Sequence, residues 1–212
     1  MKTLEYIKNK YNLNLDQRMP IEIPNVGRNE MIKWLSEDEL NFENLIEVGV
    51  AGGEYSRLIC ENNIFANIYG IDPWKKYREY SDYRKETTFM KMEEDARNRM
   101  KDFPNYTFIK KTSLEALDDF KDESLDFVYI DANHRDPYIT EDVKGWYKKV
   151  KKGGILAGHD YVRSKIVNIQ VVSALGKFTL ENDIKHWFIL GSFKPKKGEI
   201  RDSSRSWVII KE

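Results

Sequence analysis

Short apolar runs alternate with amphipathic stretches from residue 44 onward, and this alternation constrains the fold more than any other feature. Five runs have the length and composition of buried strands: Leu45–Val50, Asn67–Ile71, Tyr106–Ile109, Leu125–Ile130 and Ile155–Ala157. Four stretches between them have helical periodicity: Tyr55–Glu61, Tyr83–Lys101, Leu114–Phe120 and Thr140–Val150. Apolar strands separated by helices are typical of a parallel sheet that helices cover on both faces.

The pattern changes in the last quarter of the chain. A helix is predicted near Ser164–Lys177, and the runs His186–Leu190 and Trp207–Ile210 follow it. Only the polar, Lys/Arg-rich segment Gly191–Ser206 separates these two runs, so we predict an antiparallel pair at the sheet edge. The predicted fold class is α/β: a doubly wound, Rossmann-like, seven-stranded, mostly parallel sheet with an antiparallel last strand and helices on both faces.

The first 43 residues form a polar extension that precedes the predicted sheet. Helices are predicted around Leu4–Lys10 and Glu30–Leu40, with Pro20 and Pro24 in the loop between them. A chain of 212 residues fits one domain, so residues 1–43 are interpreted as a helical extension on the substrate side of a domain at 44–212.

Composition narrows the classes of partner and compartment. Lys+Arg and Asp+Glu balance at 35 each, which gives no indication of nucleic-acid binding. No run of about 18 apolar residues occurs and the N-terminus lacks an apolar signal segment, so we expect no membrane span and a cytoplasmic protein. The lone Cys60 is expected to be a packed thiol. A homo-oligomer is compatible with the sequence, which does not define an oligomeric state.

A glycine-rich turn follows the first strand of the alternating region. Gly49, Gly52 and Gly53 lie between that strand and the next helical stretch. Glycines there permit positive φ and let the backbone approach a ligand, while the helix N-terminus offers N–H groups to an anion. A tight strand-to-helix turn without a ligand has the same sequence, so the turn alone leaves both interpretations open.

An acidic residue at the end of the second strand favours a ligand. Asp72 follows Gly49 by 23 residues (72 − 49), where a carboxylate can accept both ribose hydroxyls of an adenosine ligand. A turn or cap Asp before Pro73 is the alternative. The turn reads G-V-A-G-G instead of the dinucleotide pattern G-x-G-x-x-G, and Glu47 lies just before Gly49. These features and the C-terminal antiparallel pair favour S-adenosylmethionine over a dinucleotide.

Polar residues also follow the fourth and fifth strands. Asp131 and His134 follow one, and His159 and Asp160 follow the other, 28 residues beyond Asp131 (159 − 131). Adjacent parallel strands lie about 4.8 Å apart, so the side chains of Asp131, His159 and Asp160 can converge above the sheet. Oxygen ligands suit Mg²⁺ or Ca²⁺, and a mixed His/Asp set also suits Mn²⁺, Fe²⁺ or Zn²⁺. Without a metal, Asp131 would help to hold the cofactor and His159–Asp160 would form a hydrogen-bonded pair.

Four motifs resemble those of class I S-adenosylmethionine-dependent methyltransferases: E-V-G-V-A-G-G, I-D-P-W, L-D-F-V-Y-I-D-A-N-H and G-G-I-L-A-G-H-D-Y. The resemblance covers roughly Asn44 to Trp207 and is greatest to catechol-O-methyltransferase-like enzymes and to sugar and macrolide O-methyltransferases. It implies a methyltransferase domain at 44–212, S-adenosylmethionine as cofactor and a small-molecule hydroxyl as methyl acceptor. The cofactor-binding residues that it implies are Glu47, Gly49, Gly53, Asp72, Trp74, Ser113 and Asp131.

The roles implied for these residues differ along the cofactor. Glu47 and Gly49 would lie near its methionine part, Asp72 on the ribose and Ser113 beside the adenine. Trp74 would cover the adenosine or pack in the core. Ser56 would reach the methionine carboxylate or remain a surface serine, and the middle glycine of the family's G-x-G-x-G is Ala51 here.

The resemblance also implies a metal and a general base. In catechol-type enzymes two Asp and one Asn bind a divalent metal. The matching set here is Asp131, His159 and Asp160, in which His159 departs from the family pattern, for Mg²⁺ or another divalent metal. His134 lies where those enzymes have their general base, and an imidazole pKa of about 6.5 suits the deprotonation of a hydroxyl near neutral pH. The predicted catalytic residues are therefore His134 and Asp131, and a capping or surface role is the alternative for His134.

Three hypotheses of function follow. The first is O-methylation of a small-molecule hydroxyl, with a divalent metal as a further option. The second is a metal-dependent oxidation on the same fold, as in cephalosporin-hydroxylase-like relatives, and the third is a non-catalytic adenosine-ligand binding domain. Two sets of side chains are candidate substrate contacts, although packing or surface positions are expected for them: Tyr77, Tyr80 and Tyr83, and Arg28, Arg201 and Arg205.

Overall fold

Strands and helices alternate through most of the chain in a computed structural model that describes residues 2–76, 85–163 and 168–212. The strands are β1 (Ile21–Ile23), β2 (Asn44–Val48), β3 (Asn67–Ile71), β4 (Tyr106–Ile109), β5 (Leu125–Ile130), β6 (Val150–Gly158), β7 (Trp187–Leu190) and β8 (Trp207–Ile210). The helices are α1 (Lys2–Tyr11), α2 (Arg28–Ile32), α3 (Glu54–Asn62), α4 (Glu86–Met100), α5 (Ser113–Ala116), α6 (Tyr138–Lys149) and α7 (Val171–Glu181). Tyr77, Tyr80 and Tyr83 lie outside the described residues.

All strands belong to one sheet, in the order β1-β7-β8-β6-β5-β2-β3-β4. β8 runs antiparallel to both of its neighbours, and the other pairs are parallel. The predicted α/β fold with a doubly wound, mostly parallel sheet and an antiparallel last strand is confirmed. Its strand order reverses beside β2, the position at which such sheets bind ligands.

The sheet differs from the sequence prediction in two places. It has eight strands instead of seven, because β1 of the extension pairs in parallel with β7. The predicted antiparallel pair of β7 and β8 is confirmed, but β1 lies beyond it, so the pair does not form the sheet edge and β8 lies between β6 and β7. Burial explains both positions: every residue of β8 is buried, as an interior strand requires, whereas β1 alternates buried, exposed and buried, as suits an edge.

Each face of the sheet has its own core. On one face, Leu45 of β2 packs with α3, whose Tyr55 and Ile59 are buried. On the other face, Ile46 and Val48 belong to a second cluster with α6. The buried face of α6 is formed by Ile139, Asp142, Val143 and Trp146, which have the spacing of one helical stripe. These two layers fix the carboxyl ends of β2, β3 and β5 side by side.

The extension is packed against the same sheet. Ile7 of α1 is fully buried, and the Thr3 hydroxyl donates a hydrogen bond to Gly153 O at 2.5 Å. The helix predicted over 30–40 ends earlier, at Ile32, and continues as successive turns. Those turns bury Trp34, whose indole N–H donates to the Tyr11 hydroxyl at 2.8 Å.

Two smaller observations concern the sequence expectations. Cys60 is buried in α3, as predicted. Among the helices that the structure describes, none has the length and apolar character that a membrane span requires.

Truncation of β1 tests whether the extension is part of the cooperative fold. Ile23→Ala removes a fully buried side chain, and we expect it to lower the free energy of unfolding by about 2–4 kcal/mol. Ile200→Ala is the matched control, because Ile200 is 47% exposed; its cost should stay below about 0.5 kcal/mol. Urea unfolding followed by fluorescence measures both. A main transition that Ile23→Ala leaves unchanged would mean that the extension unfolds separately.

Candidate active site at the carboxyl ends of the strands

A cavity of about 270 Å³ opens where the central parallel strands end. Five of the predicted cofactor-binding residues line it: Gly49, Asp72, Trp74, Ser113 and Asp131. Two others, Glu47 in β2 and Gly53 just before α3, are not among the described lining residues. The structure therefore brings residues from four separate loops to one cavity, at the position that the fold predicts.

Gly49 holds the ends of three strands together. Its N–H donates to Ile71 O of β3 at 2.8 Å, and its φ is +96°. A Cβ at this position would lie 2.2 Å from Asp131 O at the end of β5, so only glycine fits. Gly53, with φ +82°, precedes the first turn of α3 and faces the backbone of Ala96.

Asp72 is half-buried at the cavity wall and binds backbone on both sides. Its carboxylate accepts hydrogen bonds from Ala51 N at 3.0 Å and from Trp74 N at 2.8 Å. Burial raises the pKa of Asp72, and the backbone N–H donors offset this only in part. The carboxylate therefore orders the glycine turn and the loop after β3 at once.

Trp74 packs in the core and also lines the cavity. Its side chain is 3% exposed and packs edge-on against Phe108, with ring centroids 5.9 Å apart. The indole N–H donates to Ala51 O at 2.8 Å, and the residue also lines the cavity. Core packing thus fixes the ring against the cavity wall.

Glu47 is a buried carboxyl beneath the cavity. It is 2% exposed, and the Ser56 hydroxyl donates a hydrogen bond to it. The same hydroxyl oxygen lies 2.9 Å from the Tyr106 hydroxyl, so Ser56 is a buried link and not a surface serine. Burial raises the pKa of Glu47 to about 8, against the opposing effect of Ser56.

A second buried acid was missed by sequence reasoning. Asp142 of α6 is 2% exposed, lines the cavity and accepts a hydrogen bond from the Ser113 hydroxyl. Trp146 donates its indole N–H to the Ser113 oxygen at 2.8 Å. Burial raises the pKa of Asp142 to about 7. The signal in the sequence was an acid within the apolar stripe of α6, where a charged residue needs a special reason.

Asp131, His159 and Asp160 converge after β5 and β6, as predicted, and His134 lies with them. His134 Nε2 lies 2.9 Å from Asp160 Oδ2 and 3.6 Å from Asp131 Oδ1. His159 Nδ1 lies 3.6 Å from Asp160 Oδ2 and 3.9 Å from Asp131 Oδ1. Burial would raise the pKa of Asp160, but hydrogen bonds and charge from His134 and His159 lower it well below its usual range. Burial raises the pKa of Asp131 despite its positive neighbours.

The extension contributes a cation to this cluster. Arg28 Nη1 of α2 lies 3.2 Å from Asp131 Oδ2, and the guanidinium sits over the Tyr55 ring, 4.9 Å from its centroid. The backbone N–H of Arg28 donates to Asp202 at 2.9 Å, which ties α2 to the loop before β8. The sequence favours a solvated surface position for Arg28, whereas its position facing Asp131 depends on tertiary packing that sequence patterns do not encode.

The other two arginines named from the sequence have structural partners. Arg205 is 11% exposed in its side chain and pairs with Glu22 of β1 at 2.6 Å. Arg201 donates to the carbonyl oxygens of Ser192 and Phe193, each at 3.0 Å. Both therefore stabilise the loop before β8 and are not brought to the cluster.

Comparison with known proteins identifies the class to which this fold and site belong. A family model described as a methyltransferase domain matches residues 46–161, more than half of the chain, so the protein belongs to that methyltransferase family. An uncharacterised protein from Acanthamoeba polyphaga mimivirus is 26% identical over 168 residues, which cover 77% of this chain and 67% of the relative.

Solved structures share the fold at low sequence identity. An O-methyltransferase from Bacillus cereus in complex with SAH has a TM-score of 0.59 and 16% identity, covering 100% of this chain and 91% of that one. A SAM-dependent O-methyltransferase from Thermotoga maritima has a TM-score of 0.57 and 13% identity, covering 100% of this chain and 71% of that one. These similarities show the fold. A shared fold does not define the reaction, which has to be argued from the residues of the site.

Glu47 makes the stability of the ligand-free protein depend on pH. Its pKa rises from an ordinary 4.5 to about 8 on folding, so the folded state resists ionisation and loses stability as pH rises across this window. Glu47→Gln cannot ionise, so we expect its stability relative to the wild type to rise by about 2–4 kcal/mol between about pH 5 and pH 8. Denaturant unfolding at several pH values measures this difference.

The exposed Glu39→Gln is the control for this experiment. It should leave the pH dependence of the unfolding free energy unchanged. A Glu47→Gln protein whose stability follows the wild type at every pH would show that Glu47 ionises normally in the fold.

Proposed function

We propose that the protein is an S-adenosylmethionine-dependent O-methyltransferase that acts on a small-molecule hydroxyl. The observation that carries this proposal is the double position of Asp131, which lines the cavity and also belongs to the His/Asp cluster. A cofactor in the cavity and an acceptor at the cluster would meet at this residue. Family membership and the fold shared with a structure in complex with SAH support the choice of cofactor.

The cofactor contacts follow from the cavity wall. Asp72 would accept the ribose hydroxyls, and the turn at Gly49 would admit the methionine part close to the backbone. Glu47 is not among the lining residues, so it would act indirectly, by accepting the hydrogen bond that fixes Ser56 of α3. The sulfonium methyl would then point toward Asp131.

His134 is proposed as the general base. Its Nε2 lies 2.9 Å from Asp160 Oδ2, and a carboxylate bound to one imidazole nitrogen fixes the tautomer and raises the basicity of the other. His134 would remove the acceptor proton as the oxygen attacks the methyl carbon in line with the breaking C–S bond. Alignment of the two reactants in one site supplies much of the rate.

The cluster also fits a divalent cation. Side-chain donor atoms of Asp131, His134 and Asp160 lie within 4.8 Å of one another, and such a His/Asp set suits divalent ions. We propose Asp131, His159 and Asp160 as the ligands, the set that the sequence predicted, with His134 kept as the base. A bound cation would orient the acceptor hydroxyl and lower its pKa. Arg28 compensates part of the Asp131 charge in either case.

A metal-dependent oxidation is the second candidate. The observation that favours it is the presence of two imidazoles beside two carboxylates, a donor set also used by non-haem iron enzymes. Iron that copurifies with the protein, together with an absence of methyl transfer, would favour this candidate over the first. For either activity we propose the cytoplasm, a reducing compartment that suits the single buried Cys60.

Asp72 tests the cofactor assignment. Asp72→Asn loses the charge that would hold the ribose hydroxyls, so we expect S-adenosylhomocysteine to bind about 10- to 100-fold more weakly. The exposed Asp118→Asn should bind like the wild type. Isothermal titration calorimetry gives the dissociation constants, with NAD as a control ligand. Unchanged affinity in Asp72→Asn would contradict the assigned ribose contact, and tight binding of NAD alone would overturn the proposed cofactor.

His134 tests the base. His134→Ala should reduce methyl transfer about 100- to 10,000-fold while the affinity for S-adenosylhomocysteine stays within about threefold. His186→Ala is the control. His186 lies just before β7, at the end of the strand opposite to the site, and pairs with Glu212, so this variant should keep full turnover. Radiolabelled methyl transfer to a panel of hydroxylated compounds measures the rate. A loss of cofactor affinity that accounts for the lost rate would rule out the role as base.

The same variants separate the base from the metal ligand. Mn²⁺ titration followed by paramagnetic relaxation should show weaker binding in His159→Ala and normal binding in His134→Ala, if the two imidazoles have the proposed roles. The reverse result would make His134 the ligand and require another base. Asp131→Asn should weaken Mn²⁺ binding in both arrangements.

A further inference from the structure

Two buried polar side chains of the cavity wall have no role in the proposed methyl transfer. Asn133 lines the cavity and is 6% exposed. Its amide oxygen accepts a hydrogen bond from Arg135 N at 3.2 Å, but its buried amide nitrogen has no partner among the described residues. A buried donor without an acceptor is unfavourable, so an acceptor atom supplied by a ligand would stabilise this side chain.

Asp142 is the second of these groups. The Ser113 hydroxyl donates to one Asp142 oxygen and accepts from the Trp146 indole, so the Ser113 proton is already used within the wall. A carboxylate accepts several hydrogen bonds, whereas this 2%-exposed group accepts one from the side chains that the structure describes. Asp142 is therefore the acceptor that this part of the wall offers to a ligand, and Ser113 and Trp146 position it.

The wall thus combines an acceptor from α6 with a donor from the loop after β5. An adenine ring has the complementary pattern on its Watson–Crick edge, where the exocyclic amino group donates and N1 accepts. Hypoxanthine reverses both atoms, since it has a carbonyl oxygen at position 6 and a protonated N1. A site that leaves buried polar groups unpaired rejects such an analogue strongly.

We propose that Asp142 and Asn133 determine the specificity for the base of the cofactor: Asp142 accepts from the adenine amino group and Asn133 donates to N1. This inference rests on the proposed use of S-adenosylmethionine. It transfers the adenine contact that the sequence predicted for Ser113 to Asp142, with Ser113 as a positioning residue. Burial raises the pKa of Asp142 to about 7, so the acceptor form predominates in more alkaline buffer.

Calorimetry with two ligands tests the proposal. S-adenosylhomocysteine and its deaminated analogue S-inosylhomocysteine are titrated at about pH 8.5 into the wild type, Asp142→Asn, Asn133→Ala and the control Asp118→Asn. The wild type and the control should prefer the adenine ligand by about 100-fold or more. Asp142→Asn supplies an amide that can donate to the carbonyl, so the preference should fall by at least about tenfold. Asn133→Ala should weaken the adenine ligand selectively.

The outcomes separate this inference from the proposed function. A wild-type protein that binds neither ligand overturns the proposed cofactor and the inference with it. A wild type that binds both ligands equally, or variants that bind the adenine ligand normally and keep the full preference, overturn the inference alone. The wild-type comparison needs no variant to fold, and circular dichroism of each variant shows whether its affinity reports on a folded protein.

Discussion

The close contact between Gly49 and the backbone of Asp131 is the constraint on which the site depends. Because Gly49 has no Cβ, the end of β2 approaches the end of β5 closely enough for one cavity to include both loops. The same residue hydrogen-bonds β3 through Ile71 O, which sets the loop that carries Asp72. Gly49 therefore positions the cavity, Asp72 and the His/Asp cluster relative to one another, and the packed layers on both faces of the sheet support it.

Much of this arrangement could be predicted from the sequence, because it depends on local patterns. Apolar strands that end at a glycine or an acidic residue indicate a parallel sheet, and ligands bind at the carboxyl ends of such strands. That is why Asp72 and Asp131 were predicted at one site, and the structure does bring them to one cavity. The convergence of Asp131 with His159 and Asp160 follows equally from the spacing of adjacent strands, whereas the contact of His134 with Asp160 was not predicted.

The features that sequence reasoning missed depend on contacts between distant segments. β1 has only three residues and pairs with a strand more than 160 positions away, so no local periodicity predicts it. Arg28 faces Asp131 because Asp202 and Tyr55 fix the start of α2. Asp142 carried a weak signal, an acid in an apolar stripe, which becomes interpretable only when the cavity beside it is known.

The position of β1 also has a consequence for solubility. β7 is buried on both faces along its whole length, and β1 covers its outer hydrogen-bonding edge. Such a strand, left uncovered, presents apolar side chains and unpaired backbone groups together, the combination that promotes aggregation through edge-to-edge pairing. The three residues Ile21–Ile23 therefore protect the edge of β7 from such pairing. Their one exposed side chain, Glu22, is charged and pairs with Arg205.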